Sequence, residues 1–384
     1  MTAPAMAEAV KDIRLGVTQE RTRVVLDLSE KVDYRVFMLN NPRRVVVDLP
    51  SLQWPEEPPK AGGLIGGIRF GQFTADKSRL VLDAAKPVKI AKSFILNPAS
   101  GLPHRLVLDL VKTTAVGFDK QVKSDRASAA KRAAKRSVAQ PAPAPMPKQK
   151  KKPNSKPIIV LDAGHGGVDP GARGSRAREK NVTLEFTREF AKQLRRTGKY
   201  KVYLTRNRDI YIPLRQRVNI ARKHNADLFI SIHADAIQRK SVRGMSIYTL
   251  SETASDKEAA ALARKENQSD IIAGIDFAEQ PPEVANILID LAQRETKNLS
   301  VKFANLVVDH ARGKTRLLQR THRFAGFRVL KAPDVPSVLV ELGFLTNRKD
   351  EKQLINAGWR RKMAGALVES VDAYFTQSRV ANLR

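Results

Sequence analysis

The chain has 384 residues, of which 42% are hydrophobic, with a formal net charge of +30 and no cysteine. It is apolar enough to build two domains with real cores and too apolar to be disordered throughout, and lack of thiols excludes disulfide staples and cysteine-ligated metal, so any metal must be held by histidine and carboxylate. The charge calls for an anionic partner without choosing between nucleic acid, an acidic membrane surface and an anionic cell-wall polymer.

Residues Met1 to Ala9 lack the basic and apolar regions of a secretory signal, and no apolar run approaches the roughly 20 residues of a membrane span. The first hundred residues then repeat a short pattern: Arg23-Val-Val-Leu-Asp27, Arg44-Val-Val-Val-Asp48, Arg79-Leu-Val-Leu-Asp83 and Arg105-Leu-Val-Leu-Asp109. Each copy reads as one strand, with turn residues such as Asn40-Asn41-Pro42 between copies, which predicts an all-β sandwich over 9–113. From 114 to 156 the pattern dissolves into Lys, Arg, Ala and Pro, as in Pro141-Ala-Pro-Ala-Pro145 and Lys148-Gln-Lys-Lys-Lys152, and self-repulsion with proline predicts an extended flexible linker. Its basic clusters carry no interleaved aromatics, so specific nucleic-acid binding is not expected.

After Lys156 strands and helices alternate, which predicts a single α/β domain over 157–384 with a mostly parallel central sheet flanked by helices. Three apolar runs end in metal-capable or acidic residues: Ile158-Ile-Val-Leu161 before Asp162-Ala-Gly-His165, Leu228-Phe-Ile-Ser-Ile232 before His233, and Ser337-Val-Leu-Val340 before Glu341. Runs of this kind read as interior strands of a parallel sheet, whose carboxyl ends form the functional crevice, so His165, His233 and Glu341 converge and a zinc hydrolase becomes the leading reading. A catalytic zinc keeps three protein ligands and an open position. Glu179, on a loop just before a helix, is within reach as the third, but taken alone it reads as an exposed carboxylate offsetting the helix macrodipole. Glu341, following an apolar run, is expected to be partly buried with a raised pKa suited to proton transfer; the alternative is a buried ion pair with an arginine. His104, His224, His310 and His322 read as surface or packing residues.

Leu161-Asp-Ala-Gly-His165-Gly-Gly, Arg178-Glu179-Lys-Asn181, Leu204-Thr-Arg206, Leu214-Arg215-Gln-Arg217, Ser231-Ile-His233-Ala-Asp235 and Val340-Glu341-Leu-Gly-Phe344-Leu-Thr-Asn347 occur in this order, and together they resemble the zinc-dependent N-acetylmuramoyl-L-alanine amidases of the cell-division type. The N-terminal repeat resembles the AMIN domain, a β-sandwich that such amidases use to bind peptidoglycan and localise. The resemblance implies one zinc held by His165, Glu179 and His233, Glu341 as the catalytic glutamate, peptidoglycan as substrate and a periplasmic setting for septal wall splitting. Arg206, Arg215 and Arg217 are candidates for holding stem-peptide carboxylates.

Between Leu250 and Ser337 the chain is longer than a connection needs. Helices are predicted from about Asp256 to Glu266, Glu283 to Thr296 and Leu299 to Ala311. The resembling enzymes carry here an insertion, about 252–313 in this chain, that closes the zinc site until a LytM-type activator displaces it, and Glu283, then Asp290, are the candidate blocking ligands. Two other readings remain: a non-catalytic basic wall-binding scaffold, and a related zinc exopeptidase.

Overall fold

Each Arg-to-Asp repeat forms a strand, and the four copies pair with one another. In the computed structural model, residues 8–136, 155–237, 239–275 and 287–381 are described, with only the backbone for 130–136, 287–293 and 378–381. They form two compact units. The first holds β1 (Val10–Val17), β2 (Arg21–Leu28), β3 (Arg35–Leu39), β4 (Arg44–Pro50), β5 (Ile65–Gln72), β6 (Lys77–Ala84), β7 (Val88–Leu96) and β8 (His104–Lys112). These make two antiparallel sheets in the orders β1-β2-β8-β7 and β3-β4-β6-β5. The repeat copies are β2, β8, β4 and β6, the central pair of each sheet.

Antiparallel pairing explains why every copy begins with Arg and ends with Asp. It sets Arg23 opposite Asp109 and Asp48 opposite Arg79, and both couples close as ion pairs, at 2.7 Å and 2.6 Å. Between them the period-two apolar residues, such as Val24, Leu26 and Leu28 on β2 and Leu80 and Leu82 on β6, enter one shared core.

The linker expected from 114 is corrected at its start: α1 spans Ala115–Arg136. Phe118 and Val122, four residues apart on one helix face, are buried in the sandwich core, and the Asp125 carboxylate accepts from the Met38 amide at 2.8 Å. Two apolar residues suffice to seat a helix whose remaining composition reads as solvated. The Pro-rich stretch, 137–154, lies outside the described residues.

The second unit contains β9 (Ile158–Ala163), β10 (Lys201–Leu204), β11 (Leu228–His233), β12 (Met245–Leu250), β13 (Leu317–Ala325) and β14 (Ser337–Glu341). The order is β10-β9-β11-β14-β12-β13, and only the β14–β12 pairing is antiparallel. Helices α2 (Glu179–Arg196), α3 (Leu214–Lys223), α4 (Lys257–Glu266), α6 (Ile287–Ala311), α7 (Arg348–Leu354) and α8 (Ala357–Ala381) complete it, with the first half of the short α5 (Ser269–Ile272), whose last two residues are counted with the first unit. Alternate strand residues serve opposite faces: Leu161, Ile230 and Val340 pack with Phe186, Phe303 and Leu367 of α2, α6 and α8, while Val160, Phe229 and Leu339 pack with Leu214 of α3 and Leu262 of α4. Both faces are covered, which is why these strands read as unbroken apolar runs.

The expected insertion is corrected in two respects. Its second and third helices are one continuous α6, and Phe303, Ala304, Val307 and Ala311 of that helix are fully buried in the sheet's main core. The segment therefore splits into α6, built into the main core on one face of the sheet, and a shorter part, α4 and α5, of which α4 packs Ala259, Leu262 and Ala263 on the opposite face. Strand β13 was not expected, because its Leu-Leu-Gln-Arg-Thr-His-Arg-Phe-Ala sequence is polar; it is the edge strand, half-exposed along most of its length. No helix among the described residues is long and apolar enough to cross a membrane.

Candidate active site

The parallel register of β11 and β14 sets His233 directly beside Glu341, and β9 ends one strand away at Ala163. Beyond it the chain turns back through Gly164 and through His165, which adopts a φ of 58°. Gly164 is required by contact: a Cβ there would meet the His233 ring at 2.5 Å. Gly171 is required by conformation and contact together, with φ of +64° and a would-be Cβ 2.7 Å from the His165 ring.

Glu179 is the first residue of α2 and is fully buried. Its two oxygens divide between the imidazoles: Oε2 lies 3.1 Å from His165 Nε2 and Oε1 lies 3.1 Å from His233 Nδ1. The amides of Ala172 and Ala234 donate to the same oxygens at 2.8 Å and 2.9 Å. Burial opposes ionisation, but the two imidazoles outweigh it and hold the Glu179 carboxyl well below the usual carboxylate range. The reading of Glu179 as an exposed helix-end carboxylate is thereby set aside.

Glu341 is buried and accepts from the Asp235 amide at 3.0 Å, so a backbone amide, not an arginine, is its partner. Burial first, then the neighbouring charges of Asp235, Glu179 and Glu266, raise its carboxyl well above the ordinary value. A carboxyl so raised holds a proton more tightly than an ordinary glutamate and can hand it on.

The residue that sequence reasoning missed is Glu266, the last residue of α4. Its Oε2 lies 3.3 Å from His165 Nε2 and 3.2 Å from His233 Nδ1, and burial pushes its carboxyl up to about 7. One ligand atom each from His165, His233 and Glu266 falls within a 4.8 Å cluster. The adjacent Lys265 forms an ion pair with buried Asp235. A signal existed in the sequence: an acid that ends a helix just after Arg264 and Lys265 opposes the macrodipole, and such a position needs a compensating cation nearby. Of the blocking ligands expected instead, Glu283 lies outside the described residues, and at Asp290 only the backbone of α6 is described.

The donor set fits a metal. Glu179, Asp235, Glu266 and Glu341 are four buried carboxylates around two imidazoles, and the Oε1 atoms of Glu266 and Glu341 are buried with no hydrogen-bond partner. Buried carboxylate oxygens left so are costly unless a cation is shared among them, and nitrogen with carboxylate oxygen is a donor set that suits zinc.

The three arginines separate. Arg206 and Arg217 are 2% and 1% exposed and spend their donors on backbone carbonyls, on Thr183 and on the buried Asp162, which corrects the expectation that they face substrate carboxylates; Arg215 is exposed on α3. His224 stacks on Tyr203 at 3.8 Å and His322 meets Thr249 at 3.0 Å, in packing roles.

Comparison with known proteins matches residues 159–373 to the N-acetylmuramoyl-L-alanine amidase domain and residues 12–110 to the AMIN domain. The amidase AmiC of Escherichia coli O6:H1 is 34% identical over 384 residues, covering 97% of this chain and 90% of the relative. AmiC of Neisseria meningitidis serogroup B is also 34% identical, over 95% of this chain and 89% of the relative. Among solved structures, the amidase AmiC2 of Nostoc punctiforme aligns at 25% identity with a TM-score of 0.42, covering 58% of this chain and 98% of that chain.

Proposed function

Since the chain belongs to the N-acetylmuramoyl-L-alanine amidase family and carries an AMIN domain, we propose that it is a zinc-dependent, periplasmic peptidoglycan hydrolase that cuts the amide bond between the lactyl group of N-acetylmuramic acid and the L-alanine of the stem peptide. The observation that carries this reading is the meeting of His165 Nε2, His233 Nδ1 and both Glu179 oxygens at the sheet's carboxyl ends, next to Glu341. His165, Glu179 and His233 would hold the zinc. Bound there, zinc would supply a Lewis acid for the scissile carbonyl and lower the pKa of a water to roughly 7. Glu341, already raised by burial, would take the proton of the attacking water and return it to the amine of the departing alanine.

Glu266 Oε2 lies within 3.3 Å of both imidazoles and would take the position that a bound metal leaves open for water, so α4 would close the resting enzyme. An activator of LytM type would act by lifting α4 and α5, in keeping with a role in septal wall splitting. The AMIN unit would bind peptidoglycan and localise the enzyme.

Mass spectrometry of sacculus digests tests the reaction. Intact stem peptides are expected from prolonged digestion with wild type, through its small open fraction, and in larger amount with Glu266→Gln, but none with Glu341→Ala, whose zinc content stays at one per chain. Release of single amino acids would identify an exopeptidase instead, and a zinc-free, inactive wild type would identify a wall-binding scaffold.

A further inference from the structure

The turn that presents His165 begins at the end of β9, where the sheet still takes the Gly164 amide, which donates to Ile232 O at 3.0 Å. Three consecutive carbonyls, of Ala163, Gly164 and His165, point instead at two guanidiniums. Arg206 donates from Nε to Ala163 O at 2.9 Å and from Nη2 to Gly164 O at 2.8 Å. Arg217 donates from Nη1 to Ala163 O at 2.8 Å and from Nη2 to His165 O at 2.8 Å. Thr183 Oγ1 adds a bond to Gly164 O at 2.9 Å.

We propose that Arg206 and Arg217 are positioning residues that clamp these carbonyls and so aim the His165 imidazole at the metal, an inference that rests on the metal reading above. Three features support it. His165 is held in the left-handed region, which costs a non-glycine residue of order 1 kcal/mol and persists only when its surroundings over-determine it. Arg206 Nη2 also donates to Lys180 O at 2.8 Å, so one guanidinium ties the His165 turn to the first turn of the helix that begins with Glu179 and fixes the separation of two ligands. The buried charge of Arg217 is balanced: Asp162 accepts from Arg217 Nη1 at 2.9 Å, from Ser231 Oγ at 2.6 Å and from Thr205 Oγ1 at 2.6 Å.

Planar forks that reach two or three carbonyls at once are an arginine property; a lysine ammonium keeps the charge but not the fork. Arg206→Lys and Arg217→Lys therefore test the clamp, with Thr183→Val as a milder variant that removes one bond to Gly164 O. The full chain is stripped of metal and titrated with Zn2+ against a chromogenic zinc indicator. Thermal unfolding of the apo protein, the visible spectrum of the Co2+-loaded protein and KM on sacculi are measured in parallel.

The expected result is zinc affinity weakened about 10–100-fold in either lysine variant, the range typical of outer partners of metal ligands. A smaller loss is expected in Thr183→Val, with an altered Co2+ spectrum in the lysine variants and KM unchanged. Wild-type zinc affinity in folded lysine variants overturns the proposal, and so does a raised KM with zinc affinity intact, which would return the arginines to the substrate. Should the lysine variants fail to fold, an unchanged affinity in Thr183→Val overturns it. A wild type that binds no zinc refutes the metal reading instead.

Discussion

Lys265→Met tests whether α4 is a closure or merely a neighbour. The substitution keeps the stem that packs on the site and removes the charge that pairs with Asp235, whose side chain is 5% exposed. With α4 down, Asp235 is then left without its ammonium beside Glu179 and Glu341; with α4 lifted, water reaches it. Breaking a fully buried pair costs about 3–5 kcal/mol, but the Lys265 side chain is 44% exposed, and solvent screening brings the differential to about 1.5–2 kcal/mol. At about 1.4 kcal/mol per factor of ten, the open fraction rises roughly 10–30-fold while the closed form still dominates. The assay is release of dye-labelled fragments from sacculi by the zinc-loaded full chain without any activator. Glu266→Gln should also raise this basal rate, and the double variant should fall well short of the product of the two effects, since both act on one equilibrium. A Lys265→Met rate within twofold of wild type, at equal zinc content and equal thermal midpoint, would refute the reasoning.

Asp256 caps α4 and pairs with Arg323, and although burial opposes ionisation, the cap amide of Ala259 and the guanidinium lower its carboxyl to about 2. A depressed carboxylate contributes stability that is complete above its unfolded value near 4 and is lost as pH falls through about 2. Asp256→Asn, which still caps, should therefore cost about 2 kcal/mol at pH 6 in urea unfolding and almost nothing at pH 2; a pH-independent difference would oppose the assignment. Gly164→Ala drives a methyl into the His233 ring and should weaken zinc binding at least about tenfold by calorimetry while leaving far-ultraviolet circular dichroism intact. Phe303→Ala should cost about 3–5 kcal/mol in chemical unfolding, because α6 is core and not part of the closure; a loss under 1 kcal/mol would restore α6 to the movable segment.

The parallel sheet was legible because both of its faces are buried, which leaves apolar runs whose polar ends stand out: His233 and Glu341 are each the first ionisable residue at such an end, and His165 follows Asp162 by three residues. Glu179 was not legible by itself, since a carboxylate at a helix start has an ordinary explanation and only the fold shows that it turns inward between two imidazoles. The failures have a common cause. Phe118 and Val122 of α1, Glu266 of α4 and the edge strand β13 lie in polar sequence where one or two contacts decide the outcome, and those contacts are distant in the chain. Arg206 and Arg217 misled in the opposite direction, because arginine in a strongly basic chain is expected at the surface, whereas these two serve the backbone of the His165 turn.

The Arg-to-Asp strands of the first unit carry a hazard that their arrangement removes. A segment that begins with a cation, ends with an anion and carries three apolar residues between them is its own antiparallel complement, so β2, β4, β6 and β8 could in principle zip onto each other in wrong combinations or onto copies in other molecules. Both sheets sequester two such strands in the middle and give the outer positions to β1, β7, β3 and β5, which lack the pattern. Self-complementary edges are thus never offered to a second chain, a safeguard that matters for a protein that acts on an extended, multivalent polymer where many molecules crowd together.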